Sequence, residues 1–166
     1  MPIRLKPINW RLLALHLLGI PFLVLGARQV ATIPYTEIIE LYRMGGMKAI
    51  FDAPLSHLAE EINGLLVSQV YSWFLAILAS CVFSALVVWH RRESKLLPVA
   101  LFGLAILTSW THYDESMAVK RGLAFLQWPF EAWPLATRLG IVGSALLMLG
   151  FLPFLFTWQR PVQERN

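Results

Sequence analysis

A single cysteine, Cys81, stands among the 166 residues. Intramolecular disulfides, thiolate zinc sites and dithiol relays each need a second sulfur and are excluded. Cys81 falls in the middle of an apolar run, where a lone thiol reads as a small packing residue. Charge is scarce as well. Asp, Glu, Lys and Arg make up 14% of the chain against 57% hydrophobic residues, whereas a soluble domain carries about 25% charged residues. The sequence has no GxGxxG, no glycine-rich phosphate loop, no serine-hydrolase elbow, no nucleic-acid motif, no internal repeat and no low-complexity tract. No acidic residue lies deep in any long apolar run, which argues against a carrier with a proton- or cation-binding carboxylate at the membrane midplane.

What the chain does have is apolar segments of membrane-spanning length. The net charge of +4 resides mostly beside these segments, where Lys and Arg set orientation rather than bind nucleic acid. The N-terminal basic flank, Arg4, Lys6 and Arg11, precedes LLALHLLGIPFLVLGA. Without a clean small-x-small cleavage site this is read as a retained first helix, bent near Gly19 and Pro21. The expected fold is all-α: a polytopic membrane protein forming a four-transmembrane-helix bundle, with short amphipathic helices on the outer face. The spans are placed at about 10–30, 64–90, 96–112 and 138–158 in one domain, with outer connections 31–63 and 113–137. In the first connection Thr36 caps a short helix that Gly45 and Gly46 end, and Asp52 and Pro54 open a second.

The longest run, Asn63 to Arg92, carries small residues at every fourth position: Gly64, Ser68, Ser72, Ala76, Ser80 and Ser84. Small residues let helices approach closely in lipid, so this helix is expected to be the packing centre. A four-residue repeat drifts by about 40° per step around a helix. The row must therefore meet two neighbours in succession or one that wraps along it. Gly140, Gly143, Ser144 and Gly150 form a second small-residue surface able to meet the first.

Basic residues favour an arrangement with both termini inside, eight against six. Trp10, Trp89 and Trp158 mark one interface, and Trp110, Trp128 and Trp133 the other. The expected location is a bacterial inner membrane, N-in and C-in. The expected partners are the lipid bilayer and other membrane subunits or further copies of the chain, with no nucleic acid.

Two histidine- and carboxylate-bearing clusters fall on the expected outer face. They are His57, Glu60 and Glu61, and His112, Asp114 and Glu115. On a helix His57 lies one turn from both glutamates, and nitrogen with oxygen ligands suits zinc, iron or manganese. His57, Glu61, His112 and Asp114 are the candidate metal ligands, and all six residues are candidate acids or bases. Balanced against this is the plainer reading, acidic residues solvating the membrane boundary. His16, inside the first span, is a site for haem or for a polar network with another helix, through a serine hydroxyl for example. No cofactor is identified by any of these patterns. The leading functional expectation is a small membrane subunit or accessory protein. The alternatives are a membrane-embedded enzyme acting on a lipid or quinone-like molecule, and a small channel or carrier along the serine-bearing helix.

Overall fold

The computed structural model describes residues 6–52, 58–109 and 116–159, which are helical with short connections and contain no strand. Helix α1, Trp10–Ala31, begins where the Asn9 side chain accepts the Leu12 amide at 3.3 Å, satisfying one of the helix's free N–H groups. It ends where Thr32 folds its hydroxyl back on the Arg28 carbonyl at 2.6 Å. A 3-10 turn, Ile33–Tyr35, with Pro34 in it, leads into α2, Thr36–Asp52. As the sequence implies, α2 is broken at Gly45 and Gly46. Gly46 has φ 63° and ψ −153°, a conformation essentially reserved for glycine.

Helix α3, Leu58–Arg91, has 34 residues and a length of about 51 Å, well beyond the roughly 30 Å of a hydrocarbon core. Here the structure differs from the expectation of a separate short helix before the span. Residues 58–62 are good helix formers, and Asn63-Gly64 does not interrupt them. The missing side chain at Gly64 instead admits Tyr35, whose hydroxyl would lie 2.8 Å from any added Cβ. At its other end α3 closes with reciprocal bonds, Arg92 N–H to the Trp89 carbonyl and Glu93 N–H to the Val88 carbonyl, with Arg92 at φ 52°. This is the Schellman arrangement, with arginine where glycine is usual. Helix α4, Leu97–Ser109, has 13 residues. Helix α5, Met117–Gln127, is capped by Ser116. A 3-10 turn, Trp128–Phe130, then precedes α6, Leu135–Gln159.

Three of these helices, α1, α3 and α6, are long and apolar enough to cross a membrane. Helix α4 is apolar but shorter, and residues 110–112 of the third expected span lie outside the described residues. One end of the bundle holds the 92–96 turn together with the start of α1 and the end of α6. Lys6 bonds the Arg92 carbonyl there at 2.9 Å, Asn9 reaches Glu93 at 3.2 Å, and Arg91 bonds the Thr157 carbonyl at 3.2 Å. The opposite end holds α2, the start of α6 and α5, which Gln127 ties to Gln29 at 2.9 Å.

The small-residue row of α3 does face inward: Ser72, Ala76, Ser80 and Ser84 are buried. Beyond Gly64, which packs on Tyr35, one neighbour meets it at two well-separated points. Helix α1 meets the row at Ser68, whose hydroxyl lies 3.4 Å from the Ala31 carbonyl, and again at Ser84, 3.0 Å from His16. The packing centre, however, is α1 rather than α3: both helices lie against each other, α4 and α6, but the most extensive contacts of the bundle, with α6 and then with α3, are made by α1. Glycines on both helices explain that contact. A Cβ on Gly19 would sit 2.5 Å from the Gly150 carbonyl oxygen, and one on Gly26 would sit 2.7 Å from that of Gly143. The second small-residue surface thus meets α1 and not α3, while Ser144 on the same helix is exposed. Such backbone approach gives dispersion contact where lipid supplies little hydrophobic drive.

Substituting these glycines should expose the arrangement. Gly150→Ala is expected to lower stability by about 1–3 kcal/mol relative to Gly103→Ala, since Gly103 has open space around it. The comparison cancels the helix-propensity gain common to both. Thermal unfolding in detergent measures it, and equal stabilities would show that α1 and α6 do not touch at Gly150.

Candidate functional site

The largest fully buried polar side chain among the described residues is His16. Its position on α1 is set by the glycine contacts one turn further along, which bring α6 close enough for a side chain to bridge. The imidazole is fully buried. Its Nδ1 lies 3.0 Å from the Ser84 hydroxyl on α3, and its Nε2 lies 2.9 Å from the Thr157 hydroxyl on α6. The ring stacks on Phe154 with centroids 4.6 Å apart. Thr157 also donates to the carbonyls of Pro153 and Phe154, each at 2.9 Å.

These partners assign the proton. A hydroxyl that donates to a backbone carbonyl accepts from the imidazole, so Nε2 carries the hydrogen and Nδ1 accepts from Ser84. One neutral tautomer therefore satisfies every donor and acceptor in the chain of bonds. Three helices are joined by one side chain. Axial ligation of haem through either nitrogen would have to displace a hydroxyl. His90, the other histidine at this end, is exposed and stacks on Trp158 at 4.5 Å, nearly parallel at 7°.

A second polar node lies at the opposite end between α1 and α3. Arg28 Nε donates to Gln69 Oε1 at 2.6 Å, and Gln69 Nε2 donates to the Thr32 hydroxyl at 2.8 Å. Gln69 thus joins helices here. Arg138, in the first turn of α6, is half-buried, and its Nε has no hydrogen-bond partner among the described residues.

The outer-face candidates are only partly placed. Glu60 and Glu61 lie in the first turn of α3, where carboxylates are favoured by the helix dipole. Glu60 is exposed and Glu61 half-buried. His57, His112, Asp114 and Glu115 lie outside the described residues. Of the four candidate metal ligands, Glu61 alone is described. Among the described residues no three His, Cys, Asp or Glu side chains gather as a ligand set. Cys81 is half-buried against the core and free.

Thr157 is the member of the His16 network that sequence reasoning missed. A threonine near the end of an apolar helix carries no motif, and only the antiparallel register of α1 and α6 brings it to the imidazole. Comparison with protein-family models, with curated proteins and with solved structures finds no match.

The network should behave as a coupled unit. Ser84→Ala and Thr157→Val are each expected to cost about 0.5–2 kcal/mol. In the background of His16→Leu, each should cost clearly less. A double-mutant cycle on unfolding in micelles measures the coupling, and strictly additive effects would mean that the hydroxyls do not bond the imidazole.

Proposed function

We propose that the chain is a four-crossing integral membrane protein of the bacterial inner membrane, N-in and C-in, serving as a small structural or accessory subunit. One observation carries the reading. Every polar residue buried as a whole among the described residues, namely His16, Ser72, Ser80, Ser84, Ser94 and Thr157, is hydrogen-bonded to a neighbouring helix or to nearby backbone, and the buried polar atoms left without a partner there are the Nε atoms of the half-buried Arg91 and Arg138. His16, Ser84 and Thr157 thus join helices, while Ser72, Ser80 and Ser94 bond backbone of their own segments. A conducting path or a buried reaction centre needs some of them turned toward a ligand.

The fourth crossing is supported by the path of the chain. Helix α3 ends beside the C-terminus of α6, while α6 starts at the far end, where a Cβ on Gly143 would touch Val30 and Gln29. The chain must return between them, and α4 is the apolar element on that path. It runs from buried Ser94 and Leu97 to Ser109, whose hydroxyl accepts from Trp73 Nε1 at 3.0 Å. At about 20 Å it is short for a bilayer, which local thinning accommodates. The lipid-facing sides of α3, α4 and α6 carry large exposed apolar residues, Leu75, Phe102 and Met148 among them. Bilayer and partner subunits are the surroundings that suit them.

Gentle extraction into nanodiscs followed by native mass spectrometry tests the reading. The expected result is a stoichiometric companion protein or a defined oligomer. A lone monomer would contradict it. A stoichiometric metal lost on His57→Ala or His112→Ala would instead favour an enzyme at the outer face acting on a lipid or quinone-like molecule.

A further inference from the structure

We propose that α5 lies in the lipid headgroup layer. In this arrangement Lys120 and Arg121 hold acidic headgroups, while Phe125 and Leu126 enter the acyl boundary. The proposal rests on the reading of α1, α3 and α6 as membrane spans and adds a lipid-binding surface to it.

The warrant is a division of α5 into three arcs. Residues on a helix advance about 100° each. Val119, Leu123 and Gln127, spaced by four, are the half-buried positions, and Gln127 bonds Gln29. That arc faces the protein. On one side of it lie Lys120, Ala124 and Arg121, all exposed. On the other lie Leu126, Gly122 and Phe125, also exposed, with Phe125 at 72%. The charged and apolar arcs flank the protein-facing one with their centres about 140° apart, as in a helix resting at an interface beside a bundle.

Position restricts the occupant of the apolar arc. The link from Gln127 to Leu135 is short, and the Gln127–Gln29 bond pins α5 to the end of α1. Both anchors are ends of candidate spans, so α5 is held at bilayer-boundary level. Trp128 and Trp133, exposed at 68% and 50%, follow in the link to α6 and are of the residue type that favours this depth. Within α5 the charge is +2 with no acidic residue, which complements an anionic lipid surface.

Spin labels on the full-length protein test both halves of the proposal. In a Cys81→Ala background, single labels are placed through Phe125→Cys, Leu126→Cys, Lys120→Cys and, as a control on the lipid-facing side of α6, Met148→Cys. The protein is reconstituted into nanodiscs of phosphatidylcholine with phosphatidylglycerol. Labels at 125 and 126 should collide with oxygen, and the label at 120 with a water-soluble nickel chelate. Should 148 be lipid-exposed while 125 and 126 are aqueous or shielded from both reagents, α5 is not interfacial and the proposal is overturned. An aqueous label at 148 would overturn the spanning reading itself, and this proposal with it. For the charges, Lys120→Gln with Arg121→Gln should lower the preference for spin-labelled phosphatidylglycerol over phosphatidylcholine by about fivefold per charge. An unchanged preference would overturn the assignment of acidic headgroups to this pair.

Discussion

Close backbone contact between α1 and α6 is the constraint on which the other interactions depend. Gly19 faces Gly150 and Gly26 faces Gly143. Both pairs are separated by seven residues on each helix, so they recur on one face in an antiparallel register. At such contacts even a methyl group would collide with a carbonyl oxygen. The helices are thereby drawn together along the length that includes His16 and Thr157, and α3 and α4 pack on the surface this pair presents.

The membrane environment explains why the polar groups are arranged as they are. In a hydrocarbon layer each unsatisfied donor or acceptor is costly, so buried groups find partners within the protein. His16 meets this requirement with two hydroxyls from two helices, and Thr157 passes the bond on to its own backbone. Arg91 extends the same logic to the helix end only in part: its Nη1 donates to a carbonyl in the last turn of α6, while its buried Nε has no partner among the described residues. The connection end is held differently, through Arg28, Gln69 and Thr32. Polar clasps at both ends of α1 and glycine contacts between them resist sliding of α1 against its neighbours.

Much of this was legible in the residues. The apolar runs locate the three long helices, Gly45-Gly46 marks the break in α2, and the serine row of α3 marks its buried face. The identity of the central helix was not legible, because α3 has the denser set of small residues and α1 has only two glycines. What distinguishes α1 is the match between its glycine spacing and that of α6, a relation between two segments that neither segment shows alone. The joining of residues 58–62 to the span was also hidden. Asn63-Gly64 resembles a helix break until Tyr35 is seen to occupy the space that Gly64 leaves. As to the site, His16 stands out as an ionisable residue within an apolar run and a serine hydroxyl is a natural partner for it. Thr157 depends on tertiary register. Glu60 and Glu61 share a helical turn by spacing alone, whereas contact between the two outer clusters depends on folding of the connections.

The central claim is that one neutral imidazole joins three helices inside a glycine-packed bundle. Solid-state NMR of the full chain in lipid bilayers, with nitrogen-15 histidine and carbon-13 serine and threonine, tests it most directly. The His16 signals are identified by their loss in His16→Gln. The account predicts a protonated Nε2 with a through-space correlation to the Thr157 side chain, and an unprotonated Nδ1 with one to Ser84. A charged ring, the opposite tautomer, or an imidazole with no hydroxyl neighbour would contradict it.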